Sequence, residues 1–199
     1  MKKSYITKDF EKTVKERFFA RSAELLAAFK KRLAALRVEN ADATPEKQRH
    51  LESQILPGIA AYETLQTVLP QEEALQTVHG YVEGKAWRLR KMILKLMRLP
   101  RLYRRVPDIF AKQTPKLFGA AAGFAATEIQ VTGGVWRIDM TRCPYHDACV
   151  QYGCPELCHC FCDSDDITYD GMHPKLLWHR TKTLGRGDEC CDFSLKLTE

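Results

Sequence analysis

Residues 127–142, TEIQVTGGVWRIDMTR, decide how this chain folds. Apolar and polar residues alternate on both sides of Gly133-Gly134, and alternation around a glycine pair is a strong short-range signal for a β-hairpin. Cys143-Pro144 ends the second strand. Further on, KLLWHRTKTL (175–184) alternates again, GRGD (185–188) turns, and ECCDFSLKL (189–197) reads as the last strand. Between the hairpins, residues 145–166 read as a helical connection whose main helix opens at Pro155, since proline fits a first turn.

Upstream of residue 126 the period lengthens. Phe10, Val14, Phe18, Leu25, Phe29, Leu33 and Leu36 recur near every 3.6 residues, which predicts one amphipathic helix over 10–36. Thr44 caps a second helix with Pro45 at its first position; it runs towards residue 69 with a bend at Pro57-Gly58, and Pro70 closes it. A third helix is predicted over 72–99, stopped by Pro100. Pro107 and Pro115 then punctuate short pieces that end at Gly119. The expected class is α+β: amphipathic N-terminal helices packed on one face of a four-stranded antiparallel sheet, made of two hairpins joined by a cysteine-rich helix. The 199 residues read as a single domain, with 1–125 helical, basic and free of cysteine, and 126–199 carrying the sheet and the site.

Charge follows the same division. Before Cys143 there are about 26 Lys and Arg against about 15 Asp and Glu, and from Cys143 onward about 5 against about 10, with all eight cysteines in the acidic part. A chain of 199 residues needs no covalent staple to bury a core. MKKSYITKDFEK at the N-terminus lacks an apolar signal region, and no run reaches the roughly 18 apolar residues of a membrane span. A cytoplasmic, thiol-reducing location is expected. No Gly-rich phosphate loop, serine elbow or HExxH motif is present. The basic stretch over 84–105, with Trp87 and Tyr103 among its cations, would suit an anionic surface. Leu89, Ile93 and Leu96 already supply an inward stripe, however, so its cations read more simply as a solvated face. No nucleic-acid partner and no stable membrane association are expected; a homodimer stays open.

The cysteines cluster in CPELCHCFCDSDD (154–166) and in GDECCDF (187–193). On a helix starting at Pro155, Cys158 and Cys162 share a face that Asp165 or Asp166 continues, while Cys160 points elsewhere. In the last strand Cys191 shares a face with Phe193 and Leu195, and Cys190 with Asp188 and Asp192. The preceding strand puts Trp178, Arg180 and Lys182 on one side. Several readings stay open: a disulfide frame, disfavoured by compartment; a metal site drawn from Cys158, Cys162 and His159; buried thiols that merely pack, which suits Cys149, Cys160 and Cys190; and a reactive or polar-pocket role for Cys162 and Cys191. His173 in a turn reads as a surface residue, and His146 and His179 receive no role.

In their order CPYHDAC, YGCPELCHCFCDSDD, HPKLLWHRTKTL and GDECCDF resemble the L-2-amino-thiazoline-4-carboxylic acid hydrolase family. The resemblance covers the C-terminal third; the helical part agrees in general layout. TKTLGRGDECCDFSL is also similar to the closing hairpin of vinyl-reductase-type small-ligand domains, although Thr183 stands where those often have a cysteine. The first resemblance implies hydrolytic opening of a five-membered cyclic amidine to N-carbamoyl-L-cysteine. On that chemistry Arg180 is the expected carboxylate clamp with Lys182 second, Asp165 holds the amidinium or acts as base with Asp188 as alternative, and Cys191 or Cys162 attacks if its pKa is lowered. No cofactor is required on this reading; a divalent metal such as zinc, with metal-bound hydroxide, is the alternative. The rival function is a non-catalytic ligand- or metal-binding, sensor-like domain.

Overall fold

The computed structural model describes residues 3–127 and 129–198. Ser4 starts the first helix: its hydroxyl accepts from the Thr7 N–H at 3.1 Å, satisfying a donor that a helix end leaves free. Helix α1 (Tyr5–Arg17) buries Ile6, Phe10 and Val14. The stretch over 10–36 is two helices rather than one. Phe18 leaves helical geometry (φ −126°, ψ 43°), a 3-10 turn over Phe19–Arg21 redirects the chain, and α2 (Ser22–Glu39) buries Leu25, Phe29, Leu33 and Leu36. The period persists across the break because both helices bury the same side, and the Phe10 and Phe29 rings stack 4.4 Å apart.

Thr44 and Pro45 open α3 (Pro45–His50) as expected, the Thr44 hydroxyl accepting from the Lys47 N–H at 3.2 Å. A π turn over Leu51–Ile55 then leads into α4 (Leu56–Leu65). This turn replaces the predicted bend. Pro57 has no N–H for the carbonyl four residues back and crowds it, and the wider turn absorbs the misfit, with the Leu56 N–H reaching the Leu51 carbonyl. Helix α5 (Gln71–Leu96) carries Glu72 and Glu73 in its first turn, where they complement the helix dipole, and stops short of residue 99. Helix α6 (Val106–Leu117) stands where short pieces were expected. Pro107 falls in its first turn, which needs no N–H, and Pro115 in its last.

Strands β1 (Ala125–Ala126) and β2 (Gln130–Thr132) both pair with β3 (Val135–Arg142), forming one interrupted edge. Strand β3 pairs with β5 (Cys191–Leu197), which pairs with β4 (Leu176–His179); every pairing is antiparallel. Gly133 and Gly134 have φ of 58° and 78°, the two left-handed positions of a type I′ turn. The register places Trp136 opposite Leu195, Ile138 opposite Phe193 and Met140 opposite Cys191 on one face. The two hairpins are joined by α7 (Pro144–Gln151) and, after a 3-10 turn at Pro155–Leu157, by the cysteine-rich α8 (Cys158–Tyr169).

The helices cover that one face of the sheet, confirming the α+β reading. Helix α8 packs against α5, and α6 lies across β3 and β5. Arg90 of α5 donates to the carbonyls of Ile167 (3.0 Å) and Asp170, acceptors that the end of α8 leaves free, so part of the basic stretch holds the fold together. One apolar core lies among the helices, around Phe10, Phe29 and Tyr62, and a second lies on the sheet, around Trp136, Ile138 and Trp178. Among the described residues no helix is long and apolar enough to cross a membrane.

Gly58 of α4 lets α8 approach: a methyl group there would meet the ring of Phe161 at 2.7 Å. Gly58→Ala should therefore destabilise the protein by about 1 kcal/mol, even though alanine favours an isolated helix by about that amount. Urea unfolding checks this; an unchanged or raised midpoint would mean that α4 and α8 part without penalty.

Candidate functional site

The sheet does not close fully onto the helices. A cavity of about 510 Å³ remains, with α5, α6, α8 and the π turn on one side and β3, β4 and β5 on the other. It sits at the seam of the two cores, so Val82 and Phe161 from the helical core face Trp136, Met140 and Cys191 from the sheet core.

Arg180 is the most constrained polar group on its wall, with a side chain only 4% exposed. Its Nη2 donates to the Asp166 carboxylate and to the Cys162 carbonyl (3.1 Å), and its guanidinium lies over the Phe193 ring at 5.4 Å. Burial works against its charge, but Asp166 and Asp165 outweigh it and raise the pKa. Nη1 is buried without a hydrogen-bond partner among the described residues. Leaving a charged donor unsatisfied is expensive, so this atom is suited to an acceptor brought by a ligand.

The backbone beside Arg180 is held by Asp192, whose carboxylate accepts from the N–H groups of Thr181 (2.8 Å) and Lys182 (2.6 Å) and from the Thr181 hydroxyl (2.6 Å). Burial opposes the Asp192 charge, yet these bonds keep its pKa below the ordinary carboxylate range. They also pull the chain out of strand geometry after His179. Lys182, expected on the Arg180 side, consequently turns away and pairs with Glu189. Asp188 accepts from the Thr183 N–H at 2.7 Å and shapes the turn. Neither Lys182 nor Asp188 lines the cavity.

Asp165 does line it. Burial raises its pKa to about 6; Arg180 and Lys85 pull it down and Asp166 pushes it up. Lys85, on the neighbouring helix α5, is lowered by burial and drawn back up by Asp165.

Cys162 and Cys191 also reach the cavity, both from positions expected to face it. The Cys162 sulfur accepts from the Thr183 hydroxyl (3.5 Å), and that of Cys191 from the Leu184 N–H (3.3 Å). Contact with Cys158 together with burial raises the pKa of Cys162, and burial raises that of Cys191, in each case against the pull of Arg180. The lowered pKa that a nucleophilic thiol requires is therefore not produced by these surroundings. Cys158 stands behind the wall, its Sγ 3.8 Å from that of Cys162, and Gly185 presses on the pair so closely that a methyl group there would lie 3.1 and 3.2 Å from the two sulfurs. His159 is turned about 100° around the helix from Cys158. Among the described residues no three His, Cys, Asp or Glu side chains converge as a metal ion would need. Cys160 packs on α5, towards the Leu75 carbonyl.

A hydrogen-bonded pair closes the helical side of the cavity. His50 Nε2 lies 2.8 Å from the Leu117 carbonyl, which can only accept, so Nε2 carries the proton and Nδ1 accepts from the Tyr145 hydroxyl at 3.1 Å. Burial lowers the His50 pKa and favours this neutral form. Gln54 donates to the same Tyr145 oxygen at 3.0 Å and is itself oriented by the Tyr5 hydroxyl at 2.9 Å.

The family profile L-2-amino-thiazoline-4-carboxylic acid hydrolase matches residues 48–195. The chain belongs to that family. A search among curated proteins returns no match. The hydrolase match begins inside α3 and ends in β5, so it takes in the cavity wall from His50 to Phe193 and leaves out α1 and α2.

Within the hydrolase segment Lys85 and His50 line the cavity from outside the quoted motifs, and Tyr145 and Cys143 line it from CPYHDAC, where neither was given a role. Lys85 had a usable signal: it falls three residues after Val82 and four before Leu89, on the apolar stripe of α5. His50 and Tyr145 meet across 95 residues of sequence, and nothing local marks them as partners. Cys143 reads only as the end of a strand, and burial pushes its pKa up to about 12.

The raised pKa of Asp165 means that the folded state holds this proton more tightly than the unfolded chain does. The group therefore costs nothing at low pH, and its penalty grows as pH rises from about 4 to about 6, where the unfolded carboxyl has already ionised. Asp165→Asn should stabilise the protein, and its advantage should widen by about 1 kcal/mol between pH 5 and pH 7.5. Denaturant unfolding at the two pH values measures this; a constant or shrinking gap would show that Asp165 is not held in this way.

Proposed function

We propose that the protein hydrolyses a small cyclic amidine that bears a carboxylate, opening L-2-amino-thiazoline-4-carboxylate to N-carbamoyl-L-cysteine. The observation that carries this reading is the unpartnered Nη1 of buried Arg180 on the wall of a cavity that also holds Asp165. Asp166 occupies Nη2, so the guanidinium is already oriented when the substrate carboxylate takes Nη1. Asp165 lies beside the amidine. With a pKa of about 6 it is largely ionised at neutral pH and still able to hold a proton during the reaction.

Water adds to the amidine carbon and gives its proton to Asp165. The hydroxyl proton of the tetrahedral adduct passes to the ring nitrogen as the carbonyl forms, the ring C–S bond breaks, and Asp165 returns its proton to the leaving sulfur. One water is added and nothing else is consumed. Cys162 and Cys191, kept protonated, serve as cavity wall in this route. Free thiols at the site suit a reducing compartment, and we place the reaction in the cytoplasm.

Purified, reduced protein should convert L-2-amino-thiazoline-4-carboxylate to N-carbamoylcysteine by mass spectrometry, equally with and without a chelator. Arg180→Ala should lower kcat/KM by about 100-fold or more with its circular dichroism unchanged. Product only without chelator would replace Asp165-activated water by metal chemistry. Stoichiometric binding without turnover would make the protein a ligand-binding domain.

A further inference from the structure

The cavity is far larger than the thiazoline acid. That acid has about nine non-hydrogen atoms and fills roughly 150 Å³ at the packing density of protein interiors. The cavity measures about 510 Å³. Of the charged residues in the lining, Arg180, Asp165 and Lys85 act on one another and occupy one neighbourhood, and Arg49 lies beside His50. Aromatic rings line much of the rest. Phe110 stands edge-on to Trp136 at 5.1 Å and to Tyr169 at 5.2 Å, and Trp178 lies 5.0 Å from Tyr169. Phe118 and Phe124 form a second edge-on pair at 5.3 Å. Much of this wall is apolar, and water lying against it finds fewer partners than a flat ring would.

A second unpartnered donor points the same way. Trp136 is 4% exposed, lines the cavity, and its buried indole N–H has no acceptor among the described residues. Arg180 and Trp136 of the cavity wall thus each carry a buried donor that has no acceptor among the described residues.

We infer that the ligand of this cavity is a carboxylate carrying an aromatic substituent, with an acceptor atom within reach of Trp136 Nε1. The inference rests on the hydrolase reading only for its amidine end; the carboxylate and the ring follow from the wall. Aromatic groups pack edge-on or offset against such a lining, which selects a flat ring over an alkyl chain of equal volume.

The test is calorimetric titration of the reduced protein with 2-amino-thiazoline-4-carboxylate and with its 5-benzyl derivative. The benzyl compound should bind at least about tenfold more tightly. Leu89→Trp, which adds a ring from the half-buried edge of α5, should cut that preference to about threefold or less. Equal or weaker binding of the benzyl compound by the wild type overturns the inference, as does failure of both to bind. Tight binding of the benzyl compound with neither ring opened leaves the inference standing and removes the hydrolase reading. Efficient opening of the small acid without a benzyl preference does the reverse.

Discussion

A guanidinium carried into the interior has to find its counter-charge there, and Arg180 finds it on α8. The Asp166 carboxylate is shared between Arg180 and the Trp178 indole N–H (2.8 Å), so one side chain ties both ends of a short segment, Trp178 and Arg180, to the cysteine-rich helix. The Cys162 carbonyl, one turn away, adds a second tie. Removing Asp166 strands the buried guanidinium, a loss that typically costs several kcal/mol. With α8 fixed in this rotation, Cys162, Asp165 and Tyr169 fall on the cavity face at helical spacing. Asp192 completes the constraint by gripping the backbone just after Arg180.

Two adjacent aspartates end with opposite tasks because of this arrangement. Asp166 is committed to Arg180 and Trp178, whereas Asp165 is left to the cavity, where burial lifts its pKa to about 6. Neighbouring carboxylates whose surroundings differ in this way are a recurrent basis for acid and base roles in one site. The polar wall is thus assembled by structural bonds, while the remainder of the cavity is left to aromatic surface.

The parts of this design visible in the sequence are those written in local periods. Alternation around Gly133-Gly134 survives as β2 and β3, the start of 175–184 as β4 and 189–197 as β5, and the four-residue spacing of Cys158 and Cys162 reports the face of α8. What the sequence hides depends on contacts between distant segments or on breaks without punctuation. Phe18 interrupts a helix with no glycine or proline nearby, and α6 is masked by two prolines that happen to fall in its end turns. Lys182 continues the alternation on paper, but Asp192 captures its N–H and turns it outward. Lys85 is camouflaged among the cations of α5. The His50–Tyr145 pair exists only once α3 and α7 are brought together.

The most direct measurement is a crystal structure of the Asp165→Asn variant soaked with L-2-amino-thiazoline-4-carboxylate, since this variant should bind the acid without opening it. The substrate carboxylate should lie within hydrogen-bond distance of Arg180 Nη1, with the amidine carbon facing residue 165. A substrate bound elsewhere, with Arg180 Nη1 still unpartnered, would contradict this placement.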